Sequence, residues 1–174
     1  VKHLKAKVFL EKYLRDSGVP YSILRPCAFF ENLDDPANWN PLKKGVVKFL
    51  TEKNCKYCAT YDIGRAAAIF FKNPHDWLGN TLDVIGWQGN LLQVAEALSK
   101  VSGVPVKAKL MMPKVFRSLF LKDLHHMFLY YEEEKGPRGT PEEFKKVLPS
   151  ALSAEDWFRF HGRYANGEKI VAET

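Results

Sequence analysis

Residues 3–33 constrain this chain more than any other stretch. Leu4, Val8, Leu10, Tyr13 and Leu14 recur among charged residues at near-helical spacing, and Gly18 stops the run. Pro20 closes off further helix, residues 21–25 form a short β-prone run, and Pro26 halts it. Helix, glycine turn and apolar strand make the second half of a β-α-β unit, whose first strand is then expected upstream of Val1. In open α/β sheets, ligands bind in the crevice outside the carboxyl ends of the strands. The aromatic loop that begins at Cys27 falls at such an end, so it is the first place to look for a site.

The rest of the chain continues the α/β pattern. Asn32, Asp34, Asp35, Pro36, Asn38 and Asn40 are turn formers, and residues 46–50 and 57–60 are short strand candidates within a loop-rich insertion, 27–60. Asp62 is a plausible N-cap for a helix over 63–72, which Asn73-Pro74 would end. Residues 81–85 form a second convincing strand, and Asn90 can cap an amphipathic helix over 91–101 that Gly103 stops. A strand over 106–110, an apolar helix over 114–132, a shorter helix over 140–147 and a helix start at Ser153 complete the pass. The division expected is 1–89 for the sheet-bearing part and 90–174 for a mostly helical lobe.

Composition narrows the classes. With 174 residues, the chain suffices for one real core and is short for two. At 46% hydrophobic and 13% aromatic it is globular, and no apolar run reaches the length of a bilayer span. Three cysteines at irregular spacing do not form a secreted disulfide framework, so a reducing compartment, the cytoplasm, is the default. The net charge of +6 is spread along the chain rather than gathered on one helix face, which describes a solvated basic surface and no nucleic-acid module. The chain opens at Val1 on what reads as the start of a helix, the expectation for a piece of a longer protein.

Several constellations bear on chemistry. His3 and Lys7 are four apart and share a helix face, so a lysine there can bind ribose hydroxyls beside an imidazole able to exchange protons near neutral pH. On spacing alone, two exposed polar residues is the better description, and it is the strand and aromatic loop that follow which favour a site. Cys55 and Cys58 form a C-x-x-C without a second pair or a histidine at ligand spacing; on a strand they point to opposite faces, which reads as structural and not as a metal site. Gly86 and Gly89 lack the third glycine and the following acidic residue of a phosphate turn, which leaves an ordinary turn before a capped helix. His125 and His126 are adjacent and diverge on a helix, and the stripe Phe116, Leu119, Phe120, Leu124, Met127, Phe128, Tyr131 reads as core.

Residues 3–33, with the run Glu11-x-Tyr13-Leu14-Arg15-x-Ser17-Gly18-Val19-Pro20-Tyr21, the Arg25-Pro26 pair and then Phe29-Phe30-Glu31-Asn32, resemble the NmrA-like family of atypical short-chain dehydrogenases/reductases. The likeness continues through Asp62-Ile63-Gly64-Arg65-Ala66, residues 79–83, Ser102-Gly103-Val104-Pro105 and the region of Trp157, so it spans roughly residues 3–160. It implies the carboxyl-terminal part of a Rossmann-type NAD(P)-binding fold plus a small, mostly helical substrate lobe. By that resemblance Lys7 holds the nicotinamide ribose, and His3 stands where the wider family has its catalytic tyrosine. Pro26, Cys27, Ala28 and Phe29 pass beside the nicotinamide, while Phe29, Phe30 and Asn32 face the substrate. The family's glycine-rich fingerprint is absent, so NADP or NAD binding is expected of an intact parent. The implied function is a redox-sensing regulator acting through protein partners. The alternatives are an NAD(P)H-dependent oxidoreductase reducing a small carbonyl or quinone, and a cofactor-free interaction module. The strand over 21–25 would leave a bare sheet edge, expected to be covered by a protein partner or by self-association. No nucleic-acid or membrane partner is expected.

Overall fold

A computed structural model describes residues 2–38, 40, 44–111, 119, 122–132 and 136–170. Helix α1 (Lys2–Asp16) ends before Gly18, whose φ of 73° is the left-handed conformation that favours glycine. Strand β1 (Ile23–Pro26) follows and pairs in parallel with β5 (Thr81–Val84), Arg25 standing opposite Asp83. The strand starts two residues later than the sequence pattern suggests. The Tyr21 carbonyl is taken by the Gly79 N–H and the Ser22 hydroxyl donates to the Trp77 carbonyl, so that stretch serves the turn beside the sheet.

At Pro26-Cys27 the chain changes sheets. Strand β2 (Ala28–Phe29) pairs in parallel with β4 (Cys55–Cys58), which pairs antiparallel with β6 (Trp87–Gly89). A third pair, β3 (Val46–Phe49) with β7 (Lys107–Leu110), is also parallel. The segment 27–60 is therefore more than a loop. It holds three strands and two 3-10 turns (Phe30–Leu33 and Pro36–Asn38), and the buried Asn40 amide ties it down by bonding the Asn32 and Lys48 carbonyls and the Lys48 N–H.

Two cores result. In one, Phe30 stacks on Tyr57 and on Trp157 at ring separations of 5.6 and 5.7 Å, joined by Leu91, Val94 and Leu98 of α4 (Leu91–Ser102) and by Phe158. In the other, Ala66 of α2 (Thr60–Lys72) and Phe144 of α6 (Pro141–Val147) pack on Val84, Ile85, Cys27 and Cys58. Cys55 belongs to the first core and Cys58 to the second, as alternation along a strand requires. Helices α3 (Pro74–Trp77), α5 (Lys122–Glu132) and α7 (Ala154–Phe160) complete the described elements. Of the expected helix over 114–132, residues 114–118, 120 and 121 lie outside the described residues, as do Phe116 and Phe120 of its stripe.

Local signals explain the helix starts. Asn90, Thr140 and Ser153 each close a reciprocal capping box with the residue three places on. Asp62 does not cap α2. The helix begins at Thr60, whose N–H is satisfied from a distance by Glu31, and Asp62 sits inside the first turn. There its carboxylate is buried, accepts the Leu152 N–H at 2.8 Å and pairs with Arg65, which also donates to the Ser150 hydroxyl and carbonyl. Asp62 and Arg65 thus stitch the connection between α6 and α7 onto α2. The two glycines after β5 likewise answer to packing rather than to a simple turn: a Cβ on Gly86 would lie 2.7 Å from the Leu152 carbonyl oxygen, and one on Gly89 would collide with the Trp87 ring.

Candidate functional site

The polar residues of the opening run build a clasp between α1 and the first sheet. The Glu11 carboxylate accepts from Arg25 Nε at 2.7 Å and from Arg25 Nη2, and these bonds hold its carboxyl below the usual value. Arg15 donates to the Tyr21 hydroxyl and to Thr81 Oγ1, both at 3.0 Å, with its guanidinium over the Tyr21 ring. Sequence reasoning missed these roles. The signal was a glutamate and an arginine one helical turn apart, followed by a second arginine at the end of a strand.

This clasp fastens the Glu11–Arg15 turn of α1 to β1 and to the start of β5. Lys7 is exposed on α1, and His3 lies one turn earlier on the same helix. Pro26 is the exposed last residue of β1. Cys27 is buried beneath it and donates from Sγ to the Val84 carbonyl at 3.2 Å; burial, then the neighbouring Cys58 thiol, push its thiol well up. Ala28 and Phe29 are half-buried on β2, and Asn32 is half-buried in the turn that follows. Phe30 is different. Its ring is wholly buried between Tyr57 and Trp157, so it supports the turn from within instead of facing a ligand.

The β1–β5 pair has no second neighbour on the β1 side among the described residues. On α1, Phe9 is 70% and Tyr13 75% exposed, with Val8 and Leu10 similarly open. Two grooves, of about 640 and 380 Å³, lie around Trp87 and Gln93, and neither is lined by any of these site residues. These two grooves therefore lie apart from the described site residues. Among the described residues, no three His, Cys, Asp or Glu side chains are grouped to hold a metal ion, and no helix is long and apolar enough to cross a membrane.

Parallel strands joined through helices, with the chain leaving the sheet at a strand's carboxyl end, define an α/β protein of Rossmann type. The sequence profile of the NmrA-like family matches residues 1–157, so this chain belongs to that family. A nucleoside-diphosphate-sugar epimerase from Staphylococcus aureus superposes with a TM-score of 0.64 at 19% identity, covering 87% of this chain and 56% of that one. NmrA, a negative transcriptional regulator solved with NADP, gives 0.61 at 18% identity over 91% and 58%; its complex with NAD gives 0.64 at 17% over 92% and 59%. Prestalk A differentiation protein A of Dictyostelium discoideum is 24% identical over 116 residues, 66% of this chain and 38% of that protein. The chain spans little more than half the length of these solved structures, and less of the curated relative.

Proposed function

We propose that this chain supplies the nicotinamide-side wall of an NADP(H)- or NAD(H)-binding site and that the bound state is read by a protein partner rather than spent on turnover. The observation that carries the reading is the switch of the chain from one sheet to another at Pro26-Cys27, at the carboxyl end of parallel β1. Residues Pro26, Cys27, Ala28 and Phe29 would run along the nicotinamide, and Lys7 would hold the ribose from α1. Phe29 and Asn32 keep the exposure a substrate or ligand would need. The residues present fit the nicotinamide end and not the pyrophosphate end: the closely packed glycines Gly86 and Gly89 belong to β6 and its approach, not to a phosphate-cradling turn. A glycine-rich β-α-β half would therefore complete the site, laid against β1 and the open face of α1. Residues 90–174 would form the lobe that faces the ligand or partner.

When bound, the nicotinamide supplies hydride exchange. Residue His3, where the wider family has tyrosine, favours binding without reduction. The test is NADPH oxidation across a panel of quinones and aldehydes by this chain joined to such a half. Binding without measurable turnover is expected, and turnover that disappears in Lys7→Ala would overturn the non-catalytic reading.

A further inference from the structure

Residues 161–170 follow α7 as a series of turns, yet they are fastened to the chain's first third. The Arg163 N–H donates to Asp34 Oδ2, and Arg163 Nη1 donates to the Asp34 carbonyl at 3.2 Å. A Cβ on Gly162 would stand 2.9 Å from Asp34 Oδ2 and 3.1 Å from the Trp157 ring, so glycine permits the close approach. Ile170 is buried in the aromatic core, with Tyr164 packed against it. Asp34 itself is only 4% exposed.

The charges around this joint do not balance. Glu31 faces Asp34 from its own turn, while Arg163 and Glu168 face it from residues 161–170, with Arg163 also paired to Glu168. The guanidinium of Arg163 itself pairs with Glu168 and bonds the Asp34 carbonyl, so among the described residues the Asp34 carboxyl receives only the Arg163 N–H. Glu31 is under-satisfied as well: Oε1 accepts from the Thr60 N–H and hydroxyl, but Oε2 is shut away from solvent with no partner among the described residues. A buried carboxyl beside like charges holds a proton more tightly than a free one.

We propose that residues 161–170 form a strap over the Phe30–Leu33 turn, closed while the Asp34 carboxyl is protonated within the Glu31–Asp34–Glu168 cluster and loosened when it ionises. Burial pushes Asp34 up from 3.8 to about 6, outweighing the opposing pull of Arg163, with Glu31 and Glu168 adding to the rise. A carboxyl raised in the closed form binds its proton more tightly there than in the open form. The strap's hold is therefore complete below the ordinary carboxyl value and is lost as pH rises through about 6. The turn it grips carries Asn32 and follows Phe29, so loosening would reach the proposed wall, but the strap itself does not depend on that reading.

Amide hydrogen exchange of residues 162–168 in the full chain, corrected for the intrinsic rate and followed from pH 4.5 to 7.5, tests the device. Protection in the wild type should fall by ~10–100-fold, with its midpoint between 3.8 and about 6 and little further decline above that. In Asp34→Asn the profile should be flat, and in Glu31→Gln the midpoint should move to lower pH because a like charge is gone. A flat wild-type profile, or the same decline in Asp34→Asn, would overturn the proposal. If Asp34→Asn does not fold, an unmoved midpoint in Glu31→Gln overturns it instead.

Discussion

The aromatic core under α4 and the open face of α1 use similar residues to opposite ends. Phe30, Trp157 and Phe158 are sealed among one another, and the helices around them carry complete capping boxes. Phe9 and Tyr13 face solvent, and α1 is attached to the sheet through Glu11, Arg15 and Arg25. Ion pairs as exposed as these contribute ~0–1 kcal/mol each. The first region is a self-sufficient core. The second is oriented by its clasp and leaves Val8, Phe9, Leu10 and Tyr13 exposed.

This contrast can be broken by mutation, beginning where it should cost most. Trp157→Ala should remove ~3–5 kcal/mol from unfolding in urea, as truncating a buried aromatic does; a loss below about 1 kcal/mol would mean the aromatic core is not what holds the chain together. Asp62→Ala should cost ~2–3 kcal/mol by the same measurement, because Arg65 and the Leu152 N–H lose their partner. Asn90→Ala should cost ~1 kcal/mol through the lost cap of α4, with a matching fall in the midpoint of thermal unfolding. Phe9→Ser with Tyr13→Ser should change stability by no more than ~0.5 kcal/mol in this chain. A loss above ~2 kcal/mol in that double variant would show that the α1 face is packed after all.

Where partners are near in sequence, the chain was readable. Asn90 and Gln93, Thr140 and Glu143, and Ser153 and Asp156 meet within one helical turn, so their caps could be read or suspected from order alone. Strands β1 and β5 were also visible, because each is a short apolar run bounded by turn residues, although their pairing was not. The role of Asp62 is not legible locally, because its partner Leu152 lies 90 residues away and the nearby sequence shows only an acidic residue at a helix start. Phe30 shows the same limit within the proposed site. Two adjacent phenylalanines in a loop carry no periodicity, and what separates the buried one from its half-buried neighbour is contact with Tyr57 and Trp157. Asp34 looked like one turn former among six, since nothing near it announces Arg163.

In the function proposed above, this chain forms one wall of a dinucleotide site and Lys7 is part of that wall. NADPH should be titrated against the chain, alone and with a glycine-rich amino-terminal half of an NmrA-like protein added, with tryptophan fluorescence as the readout. The account predicts no saturation for the chain alone, and saturable binding with the half present that weakens by ~10-fold or more in Lys7→Ala, the loss of a charge-assisted hydrogen bond. Saturable binding by the chain alone, or binding with the half present that Lys7→Ala leaves unchanged, would contradict it.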